Sequence, residues 1–164
     1  MNSSLKFVLL SGLLVGTLDI SAAFLNYAIS FHKSPWIILK YIASGAFGKQ
    51  AFSSGDVMYG VGLGFHYFIA LSFTGFYFLI YPKMNLFITN WWLSGVLYAI
   101  FIWLVMNEIV IPLSLAPQLQ IKFSQGGRML KDVMILAFAI GLPLSFRCDT
   151  FFRRKGDKGN IFNW

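Results

Sequence analysis

Residues 7–29 read FVLLSGLLVGTLDISAAFLNYAI, an apolar run with a single charged side chain, that of Asp19. A helix of this length rises about 35 Å, enough to cross the roughly 30 Å hydrocarbon core of a bilayer. Similar runs follow at residues 57–81, 87–111 and 129–146. Because a backbone in lipid must satisfy its own hydrogen bonds, each run is predicted to be a transmembrane helix. The predicted fold class is all-α, a polytopic four-helix bundle in one membrane domain over residues 1–164.

The composition of the whole chain excludes other classes. Apolar residues make up 57% of the 164 residues and charged residues 12%, about half the usual charged share. A soluble domain this small would have too little charged surface, and a disordered chain would be far less apolar. The net charge of +7 is interpreted as Lys and Arg at membrane surfaces. The lipid bilayer is therefore the predicted partner, and nucleic acid is not.

A shorter segment, residues 35–52, lies between the first two runs. Ser34 followed by Pro35 is typical of a helix start, since the hydroxyl caps free amides and proline suits the first turn. Lys40 and Lys49 make the segment a poor transmembrane span. We expect one helix here that lies at the membrane interface or re-enters the bilayer.

The basic residues predict the orientation of the chain. Five of them follow the fourth run, within residues 147–164: Arg147, Arg153, Arg154, Lys155 and Lys158. Basic segments are retained on the cytoplasmic side of membranes. We expect residues 147–164 to form a basic cytoplasmic tail and both termini to be cytoplasmic.

Three sequence blocks, taken in their order along the chain, indicate a family resemblance. The blocks YIASG (41–45) and GLGFH (62–66) are followed by MNEIVIPLS (106–114). In this order they resemble a group of small, uncharacterised four-helix bacterial membrane proteins, distantly similar to the YagU-like inner-membrane family. The resemblance covers residues 8–117. It implies a multi-pass protein of the bacterial inner membrane and offers no catalytic residues.

Asp19 and His66 are the most prominent ionisable residues inside the apolar runs. Their estimated depths, from a rise of about 1.5 Å per residue, nearly coincide in antiparallel helices. A charged group there is costly unless it faces a partner, so the two side chains are predicted to approach within direct or one-water hydrogen-bond distance. Such a pair can relay a proton, or it can be a structural pair that fixes helix register. Absence of contact is the third alternative.

Glycines predict where helices pack. Gly12 and Gly16 share a helical face with Asp19, and Gly60 and Gly64 are also four residues apart. Small residues at this spacing allow close approach of helices in membranes. These four glycines are therefore predicted to be helix-packing positions.

A second polar group is predicted near the outer end of the bundle. Its members are Asn26, Asn107, Glu108, Lys131 and Asp132. The basic candidates for an ion pair with Glu108 are Lys49, Arg128 and Lys131. The group resembles either the entrance for a polar ligand or the ordinary polar rim of a helical bundle.

The sequence does not contain the common catalytic motifs HExxH and GxSxG. His32 and His66 lie far apart without HExxH spacing, no serine sits in a GxSxG elbow, and Cys148 is the single cysteine. We predict no catalytic residue, metal ligand or cofactor. The leading function is small-solute or proton-linked transport, or a related role in membrane homeostasis. The alternatives are a non-catalytic accessory subunit of a larger membrane complex and a membrane-embedded lipid-modifying enzyme, and a homo-oligomer is also compatible with the sequence.

Overall fold

The computed structural model describes residues 3–84, 88–117 and 126–160, and the regular secondary structure within these ranges is helical. The α-helices are α1 (Ser3–Phe31), α2 (Ile37–Phe47), α3 (Gln50–Ser53), α4 (Val57–Met84), α5 (Trp91–Leu104), α6 (Ile111–Leu113), α7 (Gly126–Leu136) and α8 (Leu142–Asn160). A π-helical stretch, Val105–Val110, joins α5 to α6, and a second, Ala137–Gly141, joins α7 to α8.

Four helical stretches are long and apolar enough to cross a membrane. They are Ser3–Phe31, Val57–Met84, Trp91–Leu113 and Met129–Arg154. A shorter apolar helix, Ile37–Phe47, follows the first of them. The predicted all-α fold with four candidate spans and one shorter helix is confirmed, and it suggests a multi-pass membrane protein.

Each π-helical stretch lies just before a proline. Pro112 follows the first and Pro143 follows the second. Proline lacks an amide hydrogen, and its ring crowds the carbonyl four residues earlier. The wider π-helical turn changes the hydrogen-bond register at that place, which lets both spans continue through the proline.

Glycines set the closest contacts between helices. At Gly62 on α4, an added Cβ would lie 2.7 Å from the carbonyl carbon of Leu39 on α2. At Gly95 on α5, it would lie 2.7 Å from the carbonyl oxygen of Gly141 in the second π-helical stretch. These backbones therefore touch directly, as helices do in membranes where small residues face each other.

The core lies where the middle of α1, the end of α4, the second half of α5, the second π-helical stretch and the start of α8 meet. Its buried residues are Val15, Tyr77, Tyr81, Tyr98, Ile102, Ala139, Ile140, Leu144 and Cys148. Rings from α1 and α8 pack beside it, with the Phe7 and Phe151 centroids 4.6 Å apart. The beginning of α1 and the later part of α8 therefore lie on one side of the bundle.

The segment predicted as one helix over residues 35–52 is two helices. Gly48 adopts φ 61°, a backbone conformation that favours glycine, and it separates α2 from α3. The first of them begins at Ile37, and its N-cap residue, Trp36, makes no side-chain capping bond. Residues 34–36 thus precede the helix instead of starting it as the Ser34-Pro35 pair predicted.

The fourth span extends beyond its predicted end at residue 146. The helix α8 continues to Asn160, so much of the predicted basic tail is helical. Arg147 Nε donates to Ser11 Oγ at 2.9 Å, and Arg153 Nε lies 2.8 Å from Asp149 Oδ2, one turn earlier. Both arginines therefore have polar partners within the chain, and the helix continues past them. A hydropathy pattern does not reveal such partners. Residues 161–164 lie outside the described ranges.

Candidate functional site at the contact of α1 and α4

The helices α1 and α4 approach closely at two glycines of α1. An added Cβ on Gly12 would lie 2.6 Å from Leu71 Cδ2, and one on Gly16 would lie 3.1 Å from both Ala70 Cβ and Tyr67 Cδ1. A larger residue at either position would displace α4. The structure therefore places Gly12 and Gly16 in a helix contact within this chain.

This close approach lets His66 of α4 reach the backbone of α1. His66 is buried, and its Nε2 lies 2.7 Å from the carbonyl oxygen of Gly16. A carbonyl oxygen only accepts hydrogen bonds, so Nε2 carries the hydrogen and donates it. This bond fixes the ring and its tautomer, and it leaves Nδ1 as the nitrogen that can gain or lose a proton.

Asp19 lies one turn after Gly16 on the same helix and is half-buried within the chain. Its carboxylate is close enough to the His66 imidazole for the two groups to interact electrostatically. The hydrogen bond that holds His66 is made with the Gly16 carbonyl, however, and not with the carboxylate. Asp19 and His66, both among the described residues, thus lie near the same helix contact, and no direct hydrogen bond or ion pair joins their side chains.

A second cross-helix hydrogen bond lies beside this pair. The Thr17 hydroxyl donates to the Leu13 carbonyl at 2.8 Å and lies 2.8 Å from the Tyr67 hydroxyl. Because the Thr17 hydrogen is already used, the Tyr67 hydroxyl donates to Thr17 Oγ1. Two bonds at adjacent positions of α4 therefore hold α1 and α4 in one register.

The other two glycines predicted to pack face open space within the described ranges. An added Cβ on Gly60 or Gly64 would meet no atom within 4 Å, and both residues are exposed. They lie on the opposite side of α4 from His66. The packing predicted for them is not made inside the described part of the chain.

The structure brings together part of the predicted outer group. Lys131 Nζ donates to Ser30 Oγ at 3.1 Å, and the Ser30 hydroxyl donates to Asn26 Oδ1 at 3.4 Å. Asn107 instead bonds its own helix, donating to the Trp103 carbonyl at 2.8 Å.

The two acidic members of the group lie on different helices. Glu108 is exposed in the first π-helical stretch, and Asp132 is half-buried on α7. The predicted ion pair of Glu108 with Lys49 or Lys131 is not found among the described residues. The side chain of Arg128 lies outside the described part of the chain.

Sequence reasoning missed a second buried polar cluster, in the core. The Tyr77 hydroxyl lies 2.7 Å from Ser94 Oγ, Tyr98 donates to the Phe73 carbonyl at 2.6 Å, and Tyr81 donates to Asp149 Oδ1 at 3.2 Å. One signal could have found it. The buried row of α4, Gly62, His66, Ala70, Thr74, Tyr77 and Tyr81, continues the spacing of three and four that singled out His66.

The described residues contain no group of three or more His, Cys, Asp or Glu side chains that could hold a metal ion. Comparison with protein-family models, curated proteins and solved structures finds no match to this chain. A function must therefore be inferred from the contact between α1 and α4. The YagU-like resemblance stays a prediction.

Proposed function

We propose that this membrane protein carries out proton-linked transport and that Asp19 and His66 form its proton-binding site. The observation that carries the proposal is that His66, bonded to the Gly16 carbonyl, lies near the Asp19 carboxylate where two candidate membrane spans meet. Ionisable groups inside a membrane are costly, and they commonly mark proton or ion pathways.

The position of the pair along the helices supports this function. Asp19 lies about 18 Å from the Phe31 end of α1, and His66 lies about 14 Å from the Val57 end of α4, at a rise of about 1.5 Å per residue. Both positions are near the middle of a hydrocarbon core of roughly 30 Å. A proton bound there has reached the part of the membrane that charge crosses with most difficulty.

The hydrogen bond to Gly16 supports a defined role for each side chain. Because Nε2 is held by the carbonyl, proton uptake takes place at Nδ1 of the imidazole. The Asp19 carboxylate stabilises the resulting imidazolium and can accept its proton in the next step. The ring does not need to leave the carbonyl for this exchange, so the helix contact persists through both protonation states.

Proton flux into proteoliposomes tests the proposal. Purified protein is reconstituted with an internal pH-sensitive dye, and a membrane potential is imposed with potassium and valinomycin. The intact protein is expected to move protons faster than protein-free vesicles. His66→Gln keeps an amide donor for the Gly16 carbonyl but cannot bind a proton at neutral pH, so its flux is expected to equal that of protein-free vesicles.

Asp19→Asn is expected to abolish the flux as well, because the amide cannot accept the proton. Asp56→Asn is the matched control, since Asp56 is an exposed carboxylate just before α4. It is expected to leave the flux unchanged. Wild-type flux in both Asp19→Asn and His66→Gln would show that the pair is structural and would refute the proposal.

The other predicted functions have less support. An accessory subunit would need exposed packing faces for its partners, and one of the two predicted glycine faces, Gly12 and Gly16, is filled by α4. For the lipid-modifying enzyme, the described residues offer no group of three or more His, Cys, Asp or Glu side chains that could hold a metal ion. Small-solute transport and a membrane-homeostasis role are compatible with the same site but name no solute.

We further propose that the protein lies in a bacterial inner membrane with both termini in the cytoplasm. The basic residues after the fourth span support this orientation. The start of α1 and the later part of α8 lie on the same side of the bundle, as an even number of spans requires.

A further inference from the structure

An open groove with a volume of about 630 Å³ lies on the outside of the bundle, between α1 and α7. Leu18 and Ala22 form its α1 wall, while Leu130, Met134 and Phe138 contribute to the other wall. The groove is open at Gly127, where an added Cβ would meet no atom within 4 Å. It follows the helices from Gly127 to Ala139, a rise of about 18 Å.

One end of this groove is polar. Lys131 is the charged member of its described lining, and the side chain is exposed. Its ammonium group donates to Ser30 Oγ, and Ser30 donates to Asn26 Oδ1. An ammonium group has three hydrogens, so the bond to Ser30 orients Lys131 and leaves it able to donate to a ligand.

The polar end lies where a lipid headgroup would be. Ser30 is next to the last residue of α1, and Lys131 is close to the start of the span Met129–Arg154. The rest of the groove extends from there toward the middle of the spans, at Leu18 and Ala139. A charged group near the surface and an apolar body that rises about 12 Å, from Lys131 to Ala139, match the two parts of a phospholipid.

We propose that this groove is a binding site for an anionic phospholipid, with one acyl chain along α1 and α7 and the phosphate on Lys131. Inside a membrane an apolar groove is filled by hydrocarbon, and the positive charge at its mouth selects the headgroup. Asp132 is the nearest carboxylate in sequence, but adjacent residues of a helix point about 100° apart. The inference does not depend on the proton site.

Lipid binding to the purified protein tests this proposal. Phosphatidylglycerol and phosphatidylcholine with identical acyl chains are added to the protein in detergent, and the bound fractions are measured by native mass spectrometry. The intact protein is expected to prefer phosphatidylglycerol. Lys131→Gln is expected to reduce that preference about fivefold, from the loss of one charge near the membrane surface. Lys33→Gln, which removes an exposed lysine after α1, is the matched control and is expected to retain it.

A second variant tests the apolar part. Gly127→Leu fills the groove from a position with open space around its Cβ, so it is expected to weaken binding of both lipids while the protein remains folded. An unchanged preference in Lys131→Gln would overturn the proposal, as would an equal loss in Lys33→Gln. Displacement of phosphatidylglycerol by inorganic phosphate would also overturn it, because it would show an anion site that does not need the acyl chain.

Discussion

The contact between α2 and α4 can be tested with three glycines of one helix. Gly60, Gly62 and Gly64 are two residues apart on α4, and each can be replaced by alanine. An added Cβ on Gly62 would overlap the Leu39 carbonyl oxygen and lie 2.7 Å from its carbon, whereas one on Gly60 or Gly64 would meet nothing within 4 Å. Since ordinary contact begins at 3.4 Å, the carbonyl carbon alone requires a separation of about 0.7 Å in Gly62→Ala, and the overlapping oxygen requires more.

The expected magnitude follows from two opposing effects. Replacing glycine by alanine inside a helix stabilises it by roughly 0.5–1 kcal/mol, and this gain is common to all three variants. Overpacking against a backbone costs about 1–3 kcal/mol, and it applies to Gly62→Ala alone. The Tm of Gly62→Ala is therefore expected to lie roughly 2–12 °C below that of the two controls.

Thermal unfolding of the purified variants in one detergent measures this difference. The three variants can be compared directly with one another, because each carries a glycine-to-alanine change on the same helix and is measured in the same detergent. Gly60→Ala and Gly64→Ala are expected to match or exceed the intact protein. A Tm for Gly62→Ala equal to those of the controls would refute the close contact of α2 with α4.

Four further results are expected. Thr74→Val is expected to raise Tm in detergent, because the buried Thr74 Oγ1 has no hydrogen-bond partner among the described residues; a lower Tm would show that the hydroxyl is bonded. Tyr81→Phe removes the bond to Asp149 and is expected to cost about 1 kcal/mol in the same assay, and an unchanged Tm would contradict this. Cys148 has no exposed surface, so a maleimide is expected to label it only after unfolding, and rapid labelling of the folded protein would contradict its burial. Reporter fusions at the C-terminus and within residues 112–128 are expected to lie on opposite sides of the membrane, and a periplasmic C-terminus would contradict the proposed orientation.

The four spans could be predicted because their length and apolar character depend on the sequence alone. Which faces meet could not be predicted in the same way. A helix in lipid is apolar on its buried and its exposed sides, so no amphipathic pattern distinguishes them. Gly12 and Gly16 have the same spacing as Gly60 and Gly64, yet the first pair packs on α4 and the second faces open space.

The ends of helices were also less predictable than their middles. Hydropathy ended the fourth span at Arg147, but that side chain bonds to Ser11 on a helix distant in sequence. The break at Gly48 depends on a positive φ that the sequence permits without requiring. Long-range contacts and local backbone geometry determined these features, and neither is contained in the apolar pattern.

For the proposed proton site, the bond between His66 and Gly16 separates the anchoring of the ring from the binding of the proton. If the imidazole were held by Asp19 alone, each change of protonation would alter the force between α1 and α4. The Gly16 carbonyl carries no titratable charge, so its bond to Nε2 does not depend on the charge of Asp19. In the proposed mechanism, anchoring and proton exchange therefore use different atoms, so Asp19→Asn is expected to remove the second and leave the first intact.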